Sequence, residues 1–205
     1  MRPTRIRDTK MQKFNLLTFI EPVLSYIDSG KLFRKPFSWL YMALAAVNAV
    51  LPFYLLYQVI DSGMFKHAGA KLIFAFIFAW LIIAAACWVG FQIWWNRKDK
   101  IQETSQEDAE FPVTPVIAHL VQTFGEWFGS FMAIVGVGIS LCGLLFLGND
   151  AKDLSYVLDL PLNFASIGFW GIILSPIQGF FIIIGFRYIA ELCRALAAIA
   201  NNTKK

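Results

Sequence analysis

The chain has 205 residues, of which 58% are hydrophobic and only 16% charged, with a mean hydropathy of +0.58 and a formal net charge of +4. Soluble domains are near half apolar and about a quarter charged, so an ordinary water-soluble domain is excluded and a polytopic membrane protein is indicated. The basic residues cluster toward the chain ends instead of forming a face on a soluble domain, which argues for a topology signal and against nucleic-acid binding.

The first segment, residues 1–35, opens with Arg2, Arg5, Arg7, Lys10 and Lys13. The apolar run FNLLTFI that follows is too short to span a bilayer, ends at Glu21-Pro22, and is followed by no small-residue cleavage site, so a cleaved signal peptide is not expected. Phe14, Leu17, Ile20, Leu24 and Ile27 recur at helical spacing with Glu21, Ser25 and Asp28 elsewhere. This predicts an amphipathic helix lying on the cytoplasmic leaflet or on the protein's own cytoplasmic face.

Four long apolar blocks follow: Phe37 to about Ile60, Leu72 to Trp95, Pro115 to about Leu147, and Leu162 past Gly185. At about 1.5 Å per residue each can cross a hydrocarbon core of roughly 30 Å. Their continuous apolar character speaks for helices and against a barrel, whose strands alternate. The expected fold is therefore an all-α membrane protein with four transmembrane helices arranged as two hairpins. Residues 36–95 form the first hairpin, 96–114 a cytoplasmic linker, and 115–205 a long-helix second hairpin.

Loop charges orient the spans. Eight Lys and Arg residues precede the first span, Arg97, Lys98 and Lys100 lie between the second and third, and Arg194, Lys204 and Lys205 follow the fourth. The other two loops are poorer in basic residues, and GNDAKDLSYVLDLP carries Asp150, Asp153 and Asp159 against one lysine. The positive-inside rule then puts both termini in the cytoplasm. Trp39, Trp94, Trp95 and Trp127 fall at the cytoplasmic ends, where indole rings favour the headgroup interface.

The third block carries a run of small residues. Gly125, Gly129, Ala133, Gly136, Ser140 and Gly143 follow one another at steps of three and four and share one helix face. In lipid, such faces let backbones approach, so a helix-packing seam is expected. A weaker version is Ala75, Ala79, Ala86 and Gly90 in the second block, and the fourth contains Ser175-Pro176 between Gly171 and Gly179. Thr114-Pro115 is a good helix start. A helix from there to Leu147 is roughly 50 Å long, so helices three and four should extend into the cytoplasm beyond the core.

Polar residues sit on these extensions. His119, Gln122 and Glu126 form one stripe, and Arg187, Glu191 and Arg194 another. Counted from the interface, Glu126 lies level with Arg187, Gln122 with Glu191, and His119 with Arg194, which predicts a Glu126–Arg187 ion pair inside a structural polar cluster. Cys87, Cys142 and Cys193 are too far apart for a dithiol or zinc motif and read as packing residues. His119 and Glu126 make a poor metal pair, and His67 and His119 fall on opposite sides of the membrane. No catalytic residue, metal or other cofactor is indicated.

Pro176, Arg187-x-x-x-Glu191 and the tail IANNT together resemble the end of the small bacterial two-span proteins grouped under domain of unknown function 4282. The resemblance covers about the last 45 residues, while four spans and a longer N-terminal segment depart from that pattern. It implies a bacterial inner-membrane hairpin and no particular activity. The expected role is non-enzymatic: a subunit, scaffold or anchor of a membrane complex, in contact with lipid and with a membrane-protein partner or a second copy. The alternative is a small-solute or ion transporter with a polar site near Glu126 and Arg187.

Overall fold

A computed structural model describes residues 31–101, 113–148 and 168–203, with side chains from residue 36 onward apart from that of His67. The amphipathic N-terminal segment, most of the linker, the aspartate-bearing loop and the start of the fourth block near Leu162 lie outside the described residues. Every regular element among the described residues is helical. Helix α1 is Lys31–Asp61, α2 is Ala70–Arg97, α3 is Val113–Cys142, and α4 is Phe169–Thr203. A single helical turn, Met64–His67, joins α1 to α2, and a π-helical turn, Gly143–Leu147, continues α3.

All four helices are long and apolar enough to cross a membrane, which makes the chain a candidate multi-pass membrane protein. Their ends differ by a few residues from the expected blocks because polar residues such as Arg97 continue the helix after the apolar run stops. Pro36 and Pro52 lie inside α1 and Pro176 inside α4. Each removes one backbone donor. Both helices continue through their prolines, and side chains near Pro52 and Pro176 bond to backbone carbonyls: the Asn48 amide donates to the Leu44 carbonyl at 2.9 Å, the Trp80 indole donates to the Pro52 carbonyl at 2.8 Å, and the Ser175 hydroxyl donates to the Gly171 carbonyl at 2.5 Å.

Neighbours in sequence pack as antiparallel neighbours in space. Asn48 and Pro52 of α1 meet Gly90 and Trp80 of α2, in reversed order. Trp94 and Ala75 of α2 meet Trp127 and Cys142 of α3. Phe186 and Gly179 of α4 meet Gly125 and Gly129 of α3. The last helix packs along α3 almost alone, so it forms an edge of the bundle and not the fourth wall of a closed ring.

The core lies between α2 and α3. Ala75, Ala79, Ile83, Ala86 and Cys87 face Met132, Val135, Ile139 and Cys142, all buried. The alanine face expected in the second block is therefore buried here. A second cluster, Tyr41, Ala45, Trp94, Ile101 and Val116, closes the end holding the starts of α1 and α3 and the end of α2.

Small residues set two different contacts on α3. A side chain at Gly129 would collide with the Gly179 carbonyl, and one at Gly179 with the Gly129 carbonyl, so the two backbones touch at this crossing. Gly125 lies against Phe186, and the Ala133 methyl against Gly179. Gly136, Ser140 and Gly143 are buried. Gly138, outside the expected stripe, instead faces Ile82 of α2. Between α2 and α4, Ile82, Gly138, Leu141 and Pro176 help line an apolar groove of about 360 Å³.

Candidate functional site

The polar residues of the three later helices gather at the end of the bundle that holds the start of α3. Arg97, the last residue of α2, forms an ion pair with Glu126 of α3. Glu126 also accepts a hydrogen bond from the Gln122 amide at 3.0 Å, one helical turn away. The Gln122 carbonyl oxygen in turn accepts from Arg194 of α4 at 2.7 Å. Arg97, Glu126, Gln122 and Arg194 thus form one chain of charge-assisted contacts across α2, α3 and α4. The Arg97 and Glu126 side chains are only 24% and 16% exposed, so solvent screens this pair less than a surface one.

A second, fully buried set ties in α1. The Tyr41 hydroxyl lies 2.9 Å from His119 Nδ1 and donates to Thr123 Oγ1 at 3.2 Å. Thr123 Oγ1 donates to the His119 carbonyl at 2.8 Å. With the Thr123 proton committed to the carbonyl, the Tyr41 proton goes to Thr123. His119 Nδ1 is held against the Tyr41 hydroxyl, and its other ring nitrogen is Nε2. That Nε2 is buried and has no partner among the described residues; the same holds for the Trp94 indole nitrogen. Tyr41 packs edge-on against Trp94 with ring centroids 4.9 Å apart, so aromatic and polar contacts share this end of the bundle.

Deeper along the helices, Asn48 joins α1 to α3. Its Oδ1 accepts from the Trp127 indole at 2.9 Å, while Gly90 of α2 leaves room for both side chains. An asparagine in an apolar span is thereby satisfied at both ends of its amide.

The Glu126–Arg187 pair expected from the sequence does not form. Arg187 instead approaches Glu191 at 3.4 Å, with both side chains about 60% exposed. The levels counted from the interface are close to those observed, since Gly125 meets Phe186. The rotation is different: Phe186, Ala190 and Arg194 turn toward α3, and Arg187 and Glu191 each lie one residue past that face, about 100° away. Of the six expected cluster residues, Gln122, Glu126 and Arg194 are joined, His119 turns to Tyr41, and Arg187 and Glu191 stand apart.

Trp94 and Trp127 are also placed differently from interface anchors. Trp94 is buried, and Trp127 is bonded to Asn48. Trp39 and Trp95 are exposed, and Trp95 carries Lys98 over its ring at 3.4 Å from the centroid. Trp88, Phe91 and Trp95 continue as a stacked ladder on α2.

Sequence reasoning missed the roles of Arg97, Tyr41, Thr123 and Asn48. Thr123 had a readable signal, one turn after His119. Arg97 had been spent on topology, and Tyr41 sits in an aromatic-rich run where nothing distinguishes it. The node brings one carboxylate and two guanidinium groups together with neutral hydrogen-bonding groups, a set suited to holding helix ends together. The chain matches no protein-family model, and no curated protein or solved structure matches it.

Proposed function

We propose that the chain is a non-enzymatic subunit, scaffold or anchor of a complex in a bacterial inner membrane. In this reading the helices form two hairpins with both termini in the cytoplasm, and α3 and α4 extend beyond the lipid there. The observation that carries it is the mutual engagement of the polar node's side chains. Glu126 is engaged by Arg97 and Gln122, and Gln122 by Arg194, so these groups spend their capacity on joining helices. The loop charges support the orientation, and the exposed Lys98–Trp95 contact fits a headgroup anchor at the same end. The likeness of the C-terminal stretch to domain of unknown function 4282 belongs to this proposal and adds no activity to it.

A transporter would need Glu126 to leave Arg97 during each cycle and a hydrated route between α2 and α3. The alanine, isoleucine, valine and methionine packing found there favours the scaffold instead. Affinity purification of the tagged chain from membranes in mild detergent, with identification of co-purifying proteins, tests the proposal. A stoichiometric partner or a second copy is expected. Recovery of the isolated chain alone, from membranes cross-linked before extraction, would overturn it.

A further inference from the structure

The α3-facing side of α4 is narrow: Gly171, Ser175, Gly179 and Ala190 are its buried residues. Between Phe169 and Phe186 the remaining surface is exposed or half-buried and apolar, which lipid can cover, except at one residue. Gln178 lies midway between Phe169 and Arg187, is exposed, and finds no hydrogen-bond partner among the described residues. An amide facing hydrocarbon in mid-span is costly unless another helix supplies a partner. Because an amide both donates and accepts, an identical residue on a second copy satisfies it.

The surroundings of Gln178 fit that occupant. Leu174, Gln178, Phe181, Gly185, Tyr188 and Leu192 recur at steps of four and three, the spacing of a helix–helix seam, and all six are exposed. A side chain at Gly185 would meet nothing within 4 Å, so the stripe has an open flat spot one heptad beyond Gln178. Two copies inserted alike in one membrane are related by a two-fold axis along its normal, which sets each stripe residue against its own counterpart. A single polar residue in an apolar seam fixes the register of such a pair.

We infer that α4 is the contact helix of a parallel homodimer, in which the Gln178 amides of two copies bond to each other and the stripe from Leu174 to Leu192 forms the seam. This rests on the subunit reading above and names the partner as a second copy. Tyr188 and Leu192, 62% and 45% exposed, carry the seam past Arg187. In the proposed orientation these residues leave the lipid, and there the hydrophobic effect adds to the association.

The test is oxidative cross-linking of single-cysteine variants in native membranes, on a background with Cys87, Cys142 and Cys193 replaced by alanine. Cysteine at 174, 178, 181 and 185 should give covalent dimer, with minima at 173, 180 and 187. Self-association measured in detergent by energy transfer should weaken roughly three- to fifteenfold in Gln178→Leu and remain near the parent value in Gln178→Asn. Dimer formation without positional preference, or none at any position, overturns the inference, as does a Gln178→Leu variant that associates like the parent. A chain that co-purifies with another protein but never cross-links to itself overturns the homodimer while leaving the subunit reading intact.

Discussion

At the scale of single residues, the polar groups matter through the partners they select. Of the two arginines that could reach Glu126, Arg97 pairs with it and is largely sheltered, whereas Arg187 turns outward toward Glu191. Removing one member of a sheltered pair strands the other, whereas an exposed i,i+4 pair contributes a few tenths of a kcal/mol. A double-mutant cycle with Arg97→Ala and Glu126→Ala should therefore give a coupling of about 1.5–3 kcal/mol in detergent unfolding. The same cycle with Arg187→Ala in place of Arg97→Ala should give about 0.3 kcal/mol or less. Equal couplings would mean that Glu126 is shared between the two arginines. The stripes that hold Gln122, Glu126 and Arg194 were legible in the sequence. Which arginine reaches Glu126 was not, because a helix-face error of one residue turns a side chain by about 100°.

At the scale of elements, the glycines of α3 serve two neighbours. Gly125 and Gly129 admit α4, and Gly138 admits Ile82 of α2. A branched side chain at the Gly129–Gly179 crossing must push one backbone off the other, and overpacking of this kind costs about 1–3 kcal/mol. Gly129→Val or Gly179→Val should lower the melting temperature in detergent by roughly 2–10 °C, while Gly185→Ala should not lower it. An unchanged melting temperature in the first two variants would show that α3 and α4 do not cross where the glycines meet. Four spans and the small-residue faces could be read from hydropathy and spacing alone. That α4 would rest on α3 with little help from α1 or α2 could not be read, since each span is apolar around most of its circumference and lipid is as good a neighbour as protein. Asn48 shows the same limit: its place in an apolar span was visible, but its bond to Trp127 depends on Gly90 making room on a third helix.

At the scale of the whole molecule, the helices pack in chain order, and α4 lies along α3 at one edge. They are joined at one end by the Arg97–Glu126–Gln122–Arg194 chain and the Tyr41–His119–Thr123 set. The polar residues thus have an occupation within the fold, and α4 keeps a largely exposed apolar face. If the chain works as a member of a membrane assembly, as proposed, it does not occur alone in its membrane. The most direct measurement is the mass of the protein extracted from its own membrane in lipid nanodiscs without prior detergent. A protein mass clearly above the 23.2 kDa of one chain is expected. A uniform particle holding a single copy and no other protein would contradict it.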